Sequence, residues 1–250
     1  MRRRLPRSSF CERLHGHHSR SHPDLRRARR VRSRRRPGTC GRARRRRAAR
    51  QVRRLVRRPQ HQGWHLYGRR GEPVAGWSVR DGALVRSGAG GDLVSDAQFG
   101  DFELRLEWKI APGGNSGVFY RVRENDEPVY HSALEYQVLD DRRHPDARNG
   151  ADRLAGALYG LYPPARAAAR PAGQWNAARI VARGDRVEHW LNGVRVAAFE
   201  IGSRDWNARL ARSKFKDWPG FAGARRGAIA LQDHGDEVAY RRIEIRALDR

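Results

Sequence analysis

The sequence predicts an all-β fold, namely a two-sheet antiparallel sandwich or jelly roll with one short helix. Runs of alternating apolar and polar residues are dense after residue 63, and helical periodicity is rare. The chain also lacks the regular alternation of strands and helices that builds a parallel sheet. We assign one β domain to residues 63–250.

The clearest strand covers residues 102–110, where five apolar side chains alternate with four charged ones. Asn192-Gly193, between two apolar-alternating runs, predicts a hairpin with a two-residue type I′ turn. The other predicted strands are residues 117–123, 133–139, 175–182, 187–193, 194–200, 228–233 and 238–248.

Two local features complete the fold prediction. The apolar phase of the last strand shifts partway along the run, which predicts a β-bulge near Arg241. Residues 203–215 have the pattern of a short helix, and Ser203 is the predicted N-cap.

The first 62 residues differ from the rest in composition. They contain 24 of the 53 basic residues, all arginine, and two acidic ones, so they carry 22 of the 26 net positive charges. Few large apolar side chains are present to offset the entropy of ordering. We predict a low-complexity, disordered segment over residues 1–62, and a basic arm that neutralises nucleic-acid phosphates is the functional alternative.

A third interpretation is that residues 1–62 are a frame-shifted translation. Moving the reading frame of residues 55–61 forward by one base allows Phe-Asp-Gly-Arg-Ser-Thr directly before Gly63-Trp64. A Phe-Asp-Gly turn suits the start of a strand, whereas a run of arginines does not. Sequencing the gene across Gln62 tests this, and an unbroken frame there would reject it.

Several kinds of site are excluded by residue content. Both cysteines, Cys11 and Cys40, precede residue 63, so the domain has no disulfide and no thiolate metal site. The chain has no run of eighteen apolar residues and no readable signal peptide, so no membrane span is expected. Motifs for a Ser-His-Asp triad, a phosphate-binding loop or HExxH are absent. No cofactor is evident, and the sequence is compatible with a divalent metal bound by oxygens and nitrogens of Glu, Gln and His.

Several polar side chains alternate with core residues or follow a strand end. On a convex face such groups are simply solvated, whereas on a concave face groups from neighbouring strands converge on a ligand. Each one alone is best explained as solvated surface, but together they predict a site if their strands are neighbours. These residues are Asn115, Arg121, Glu135, Gln137, Gln232 and His234.

The remaining histidines are ambiguous. If Leu191 pairs with Val194 across the hairpin, then His189 pairs with Val196 and shares its face with apolar side chains. That favours a hydrogen-bonded core histidine over a catalytic one. Trp190, on the opposite face, is either a sugar-stacking platform or sheet packing. His131 and His144 lie in loop-like stretches. Each is either a ligand-binding residue or a solvated surface side chain.

Six segments occur in the chain in the order GGDLVSDAQFGDFELRLEWKIAPGGNSGVFYRV, EYQVLDDRRHPDARNG, AGALYGLYPP, PAGQWNAARIVARGDRVEHWLNG, SKFKDWPGF and IALQDHGDEVAYRRIEIR. Together they resemble the 3-keto-disaccharide hydrolase domain family, over about Gly63 to Leu248. The resemblance implies a concanavalin A-like jelly roll, usually in exported bacterial proteins that are periplasmic or extracellular. Members typically have Phe-Asp-Gly before Gly-Trp, which this chain has only in the shifted frame.

The resemblance also implies activity on disaccharides or glucosides already oxidised to a ketone at sugar carbon 3. Such a ketone acidifies the C2 hydrogen, so a base can remove it, the C1 substituent leaves, and water adds back. On this hypothesis Glu135 or His234 is the catalytic base. The implied substrate-binding residues, which orient the sugar or hold the enolate oxygen, are Asn115, Arg121, Gln137, His189 and Gln232.

Two other classes of function fit the sequence. A jelly roll can be a non-catalytic carbohydrate-binding module, because fold does not fix function. Binding of sugars without turnover would indicate that class. The basic segment 1–62 allows a nucleic-acid-associated protein, which would show a steep salt dependence of binding that is lost when the segment is deleted.

Overall fold

Alternating side chains build two antiparallel sheets in the computed structural model, which describes residues 61–125 and 127–248 and the backbone of residues 52–54. In chain order the strands are β1 (Val52–Arg54), β2 (Trp64–Leu66), β3 (Trp77–Arg80), β4 (Ala83–Arg86), β5 (Leu93–Ser95), β6 (Phe102–Ile110), β7 (Asn115–Val122), β8 (Leu134–Leu139), β9 (Asn176–Arg183), β10 (Arg186–Leu191), β11 (Val194–Glu200), β12 (Ala228–Leu231) and β13 (Val238–Ala247).

The larger sheet has the strand order β11-β10-β9-β6-β13-β4-β3, and β1 also pairs with β13. The smaller sheet has the order β2-β5-β12-β7-β8. The predicted all-β two-sheet fold is therefore confirmed. Strand β1 lies within residues 1–62, where no regular structure was expected. Residues 1–51 and 55–60, to which the disorder and frame-shift hypotheses mainly apply, lie outside the described residues.

The core lies between the inner faces of the two sheets, as the alternation in β6 requires. Leu104 and Trp108 are fully buried there, whereas the intervening Arg105 is exposed. Tyr120 and Tyr136 enter the same core from β7 and β8 and have no exposed surface. Because inward residues alternate with outward ones, this core fixes which side chains of β7 and β8 face outward.

The predicted hairpin and bulge are both present. Asn192 and Gly193 have φ values of 50° and 83°, as a type I′ turn requires. The pairing of β13 with β6 shifts between Arg241 and Glu244, and Arg242 has a φ of 51°. The predicted hairpin register is correct next to the turn, where Leu191 pairs with Val194. It was wrong from His189 toward the start of β10, because an irregularity between His189 and Trp190 places Ala197 rather than Val196 opposite His189.

The predicted helix is shorter than expected. Helix α1 covers Arg204–Leu210, and the Ser203 hydroxyl accepts a hydrogen bond from the Trp206 N–H at 3.1 Å, as an N-cap does. The chain then turns and forms a separate 3-10 helix at Lys214–Asp217, capped by Ser213. Within the described residues, no helix is long and apolar enough to cross a membrane.

Candidate active site

One hollow on the outer face of the smaller sheet collects most of the predicted polar residues. It has a volume of about 150 Å³ and is lined by Asn115, Tyr130, Glu135, Tyr159, Lys214, Gln232 and His234. Four of these seven, namely Asn115, Glu135, Gln232 and His234, are residues that the sequence analysis singled out. The convergence of amide, carboxylate, imidazole and ammonium groups is typical of a small-ligand site.

The sheet register explains this convergence. Strands β7 and β8 pair antiparallel, with Gly117 opposite Gln137 and Phe119 opposite Glu135, so these residues share one face. Strand β12 lies on the other side of β7, and the Gln232 N–H donates to the Gly117 carbonyl at 2.9 Å. The strands that carry the candidates are therefore neighbours.

Gln137 lies beneath the hollow rather than on its surface. It is fully buried, and its Nε2 donates to Asn115 Oδ1 at 3.4 Å. Its Oε1 has no hydrogen-bond partner in the part of the chain that the structure describes, and the same is true of Gln232 Oε1. Buried amide oxygens without partners are costly unless a water or ligand supplies a donor.

Glu135 is placed by a glycine on the neighbouring strand. A Cβ at Gly117 would lie 2.3 Å from Glu135 Oε1 and 3.0 Å from its Cγ and Cδ. The carboxylate therefore lies directly over the backbone of β7, in space that only glycine leaves free. Gly117 is a positioning residue for Glu135.

The Glu135 carboxyl is a buried acid with little local compensation. Burial raises its pKa to about 8, against the opposing effect of the Lys214 ammonium. No hydrogen bond to this carboxylate is formed by residues 61–125 or 127–248. A carboxylate with such a pKa is a stronger base than an ordinary glutamate and still ionises near neutral pH.

Lys214 supplies a cation that the sequence analysis missed. Its Nζ lies 4.7 Å from the centre of the Tyr159 ring and 5.3 Å from that of Phe215. The side chain is exposed, but partial burial of the ammonium and the nearby Arg153 charge lower its pKa, while Glu135 opposes that shift. Only three of the 53 basic residues are lysines, and this rarity was the available signal.

Two tyrosines complete the wall of the hollow. The Tyr159 N–H donates to the Glu135 carbonyl at 3.1 Å, which joins its loop to β8. Burial raises the pKa of Tyr159 to about 12, so its hydroxyl stays protonated at neutral pH and can donate a hydrogen bond. Tyr130 is 40% exposed and lies at the rim. Neither tyrosine was predicted, because both lie outside the alternating strands.

The structure places Arg121 away from the hollow and contradicts its predicted contact with the sugar. Arg121 has a φ of 58° at the point where the pairing of β7 with β12 shifts register. Its side chain is buried, and Nη2 donates to the Gly184 carbonyl at 2.7 Å, with Asp101 at 3.9 Å. The bulge reverses the strand phase that the prediction assumed.

His189 is likewise not a substrate-binding residue, because it is fully buried in the core between the sheets. Its Nδ1 donates to the Gly156 carbonyl at 3.1 Å, so its Nε2 accepts from the Tyr120 hydroxyl at 2.9 Å. Burial lowers its pKa to about 4. The core interpretation of this histidine therefore replaces the binding one.

The buried His189 makes stability depend on pH. Its folded pKa of about 4 lies below the ordinary 6.5, so the unfolded chain binds the proton more readily and stability falls as pH drops through this window. We expect His189→Gln to remove about 2–3 kcal/mol of the loss in unfolding free energy between pH 7 and pH 4.5. Denaturant unfolding at both pH values measures this, with His234→Gln as a control on an exposed histidine. Equal pH dependence in His189→Gln and the wild type would contradict it.

A second hollow, of about 400 Å³, lies over the larger sheet but lacks comparable chemistry. Its Glu107 carboxylate accepts hydrogen bonds from Arg241 and Arg242, and although burial opposes them, these partners lower the pKa of Glu107. The guanidinium of Arg179 covers one face of the Trp190 ring at 4.3 Å. Trp190 is therefore part of the packing of this sheet, and the smaller hollow is the better candidate site.

One group of side chains at the edge of the smaller hollow has the composition of a metal site. Ligand atoms of His144, His234 and Asp236 all lie within 4.8 Å of one another. His144 and Asp236 are half-buried, and His234 is exposed. From the sequence, His234 was predicted to belong to the site and His144 was ambiguous, whereas Asp236 was not predicted.

Known proteins resemble this chain over most of its length. A family model described as the 3-keto-alpha-glucoside-1,2-lyase-like domain matches residues 59–246. A "3-keto-disaccharide hydrolase" from Bacteroides thetaiotaomicron is 38% identical over 218 residues, which cover 75% of each chain.

Solved structures show the same fold. The crystal structure of a candidate glycosyl hydrolase from Parabacteroides distasonis ATCC 8503 matches with a TM-score of 0.73 and 31% identity, over 79% of this chain and 94% of that one. A second structure from the same organism matches with a TM-score of 0.62 and 23% identity, over 79% of this chain and all of that one.

Proposed function

Because the chain belongs to the 3-keto-alpha-glucoside-1,2-lyase-like domain family, we propose that it is a glycoside-processing hydrolase acting on 3-keto-disaccharides or 3-keto-glucosides. The observation that carries the proposal is the buried Glu135 carboxylate, with a pKa near 8, beside the Lys214 ammonium in a hollow lined by amides. The Bacteroides thetaiotaomicron relative is named a 3-keto-disaccharide hydrolase, which supports the substrate class.

The proposed reaction begins with proton removal by Glu135. The carboxylate takes the C2 hydrogen of the 3-keto sugar, and the electrons move onto the ketone oxygen to form an enolate. Lys214 lines the same hollow as Glu135, so its ammonium would stabilise the negative charge on this oxygen. Neutral Glu135 then holds the abstracted proton and exchanges it with water, because the hollow opens to solvent at Tyr130, which is 40% exposed.

The enolate expels the substituent at C1. The C1–O bond breaks, the leaving oxygen takes the electron pair, and the protonated Tyr159 hydroxyl would give its proton to that oxygen. Water then adds to C1 of the unsaturated ketone and gives its proton to the deprotonated Tyr159, while Glu135 gives a proton to C2. The sum of these steps is hydrolysis of the glycosidic bond.

The amides have an orienting role in this proposal. Asn115 and Gln232 line the hollow and would hydrogen-bond sugar hydroxyls, while the buried Gln137 fixes the side chain of Asn115. His234 lies at the rim and is exposed, which makes it the weaker candidate for the base. A buried base whose pKa lies near the working pH is favoured over an exposed imidazole for removing a carbon-bound proton.

The experiment that tests the function compares one disaccharide with its 3-keto derivative. We expect the full chain to release 3-keto-glucose from the oxidised substrate and nothing from its unoxidised parent, measured by chromatography and mass spectrometry. Binding of either sugar without release would instead indicate the carbohydrate-binding module. Hydrolysis of the unoxidised parent at an equal rate would contradict the elimination chemistry.

Lys214→Met is expected to lower kcat on a 3-keto-disaccharide by roughly 30-fold. This is less than the ~10²-fold loss typical of a fully enclosed donor, because Lys214 is exposed to solvent. Removing the ammonium also raises the pKa of Glu135, so the midpoint of the pH profile of kcat/KM moves upward from about 8. Lys216→Met, two residues away and also exposed, is the matched control. An unchanged midpoint would show that Lys214 does not act on Glu135.

A further inference from the structure

We propose that His144, His234 and Asp236 form a binding site for one divalent transition-metal ion at the edge of the smaller hollow. The ligand atoms of these three residues lie within 4.8 Å of one another. Metal–ligand bonds of about 2.1 Å place ligands at most about 4.2 Å apart, so side-chain shifts of a few tenths of an ångström complete the site. Two imidazoles and one carboxylate suit Mn²⁺, Fe²⁺ or Zn²⁺ rather than Ca²⁺ or Mg²⁺.

The backbone holds two of the ligands in place. His234 and Asp236 flank Gly235, whose φ of 101° allows the sharp turn after β12. The Asp233 carboxylate fixes this turn, because Oδ1 accepts the Gly235 N–H at 3.1 Å and Oδ2 accepts the Gly91 N–H at 2.9 Å. The position of the turn is thus independent of any ion.

The carboxylate of Asp236 is oriented by a hydrogen bond from a residue that lines the smaller hollow. The Asn115 N–H donates to Asp236 Oδ2 at 2.9 Å, which leaves Oδ1 for a cation. Such a hydrogen bond to a ligating carboxylate is the usual outer support of a metal ligand. Because Asn115 also lines the hollow, the proposed ion and a bound sugar would share this residue.

His144 reaches the cluster from the loop after β8. The His144 N–H donates to the Asp140 carbonyl at 3.0 Å, and Asp140 Oδ2 accepts the Gly113 N–H at 2.7 Å, so this loop is tied to the loop that precedes β7. His144 Nδ1 accepts the Asp146 N–H at 3.1 Å. Binding an ion through Nε2 moves the ring proton to Nδ1 and breaks this one cap hydrogen bond, which lowers the affinity without blocking the site.

Three protein ligands leave coordination positions open, which is the pattern of catalytic rather than structural metal sites. His234 is both a ligand of the proposed ion and a lining residue of the hollow, so an open coordination position would be accessible to a sugar bound there. The ion would there polarise a sugar oxygen as a Lewis acid. This catalytic role rests on the proposed function, whereas the binding site itself does not.

The test measures metal binding in the absence of sugar. The full chain is stripped with a chelator and titrated with Mn²⁺ followed by electron paramagnetic resonance, and with Zn²⁺ by calorimetry. We expect the wild type to bind one ion per chain at this site. Each of His144→Ala, His234→Ala and Asp236→Asn should raise the Kd of that ion at least 10-fold. Asp81→Asn, an exposed carboxylate in the β3–β4 turn, is the matched control and should bind as the wild type does.

Residues 1–62 contain five histidines and both cysteines, so the difference between wild type and variants is the quantity to read. Equal affinity in the wild type and all three variants, or no binding to any of them, would overturn the site. The outcome is separate from that of the proposed function, because a chain that binds the ion and leaves 3-keto sugars intact keeps the site and loses the activity.

Discussion

Glu135→Gln is expected to lower kcat for a 3-keto-disaccharide about 10³-fold, the typical contribution of a positioned general base. Glutamine keeps the size of the side chain and its place over Gly117 but cannot accept the C2 proton. The loss should persist at every pH, because raising the pH cannot ionise an amide. Steady-state kinetics from pH 6 to pH 9 measure it.

Two controls make this result specific. Glu72→Gln, on an exposed glutamate far from the hollow in sequence, should leave kcat unchanged. His234→Asn tests the alternative base from the sequence analysis. If Glu135→Gln keeps its turnover and His234→Asn loses it, the role of base passes to His234 and the account of Glu135 is wrong.

Gly117→Ala is expected to lower kcat about 10²-fold while the protein still folds. The new methyl group would lie 2.3 Å from Glu135 Oε1, so the carboxylate must move, and a displacement of about 1 Å at a catalytic group costs on that order. Gly117 does not have a positive φ, so alanine fits the backbone of β7. We expect the unfolding free energy to fall by only about 1–2 kcal/mol from local overpacking.

Gly220→Ala is the matched control for this substitution. No atom lies within 4 Å of a Cβ at Gly220, and its φ is also not positive. Both activity and stability should therefore stay near the wild-type values. Full activity in Gly117→Ala would show that the position of Glu135 over β7 does not matter for turnover, even if Glu135 itself does.

The fold was predictable because the two-residue period of a half-buried strand is written directly into the sequence. Strand β6 was predicted with its observed ends, and the bulge in β13 followed from a change in apolar phase. The short strands β3, β4 and β5 were missed, because three or four residues contain too few alternations to show a period.

The site was predictable only where side chains lie on the alternating strands. Glu135 and Gln137 were found because they stand between core residues of β8, and Gln232 and His234 because they follow β12. Arg121 failed for the converse reason, since a bulge in β7 breaks the alternation on which the prediction depended. Local backbone irregularities of this kind leave little trace in a single sequence.

Residues outside the strands were beyond a pattern-based prediction. Lys214 begins a 3-10 helix and Tyr159 lies in a loop, and Asp236 lies in a turn at the edge of the hollow. The course of such segments depends on tertiary hydrogen bonds, such as that between the Tyr159 N–H and the Glu135 carbonyl. No sequence period connects these segments with β8. The structure was needed to show that the ammonium of Lys214 lies near the base.

The most direct test of the central claim, that Glu135 removes the C2 proton before the glycosidic bond is hydrolysed, is turnover of a 3-keto-disaccharide in D₂O. The account predicts that the released 3-keto-glucose carries one deuterium at C2, above the exchange seen without enzyme, and that Glu135→Gln produces none. Release of 3-keto-glucose at the normal rate with hydrogen retained at C2 would contradict the account.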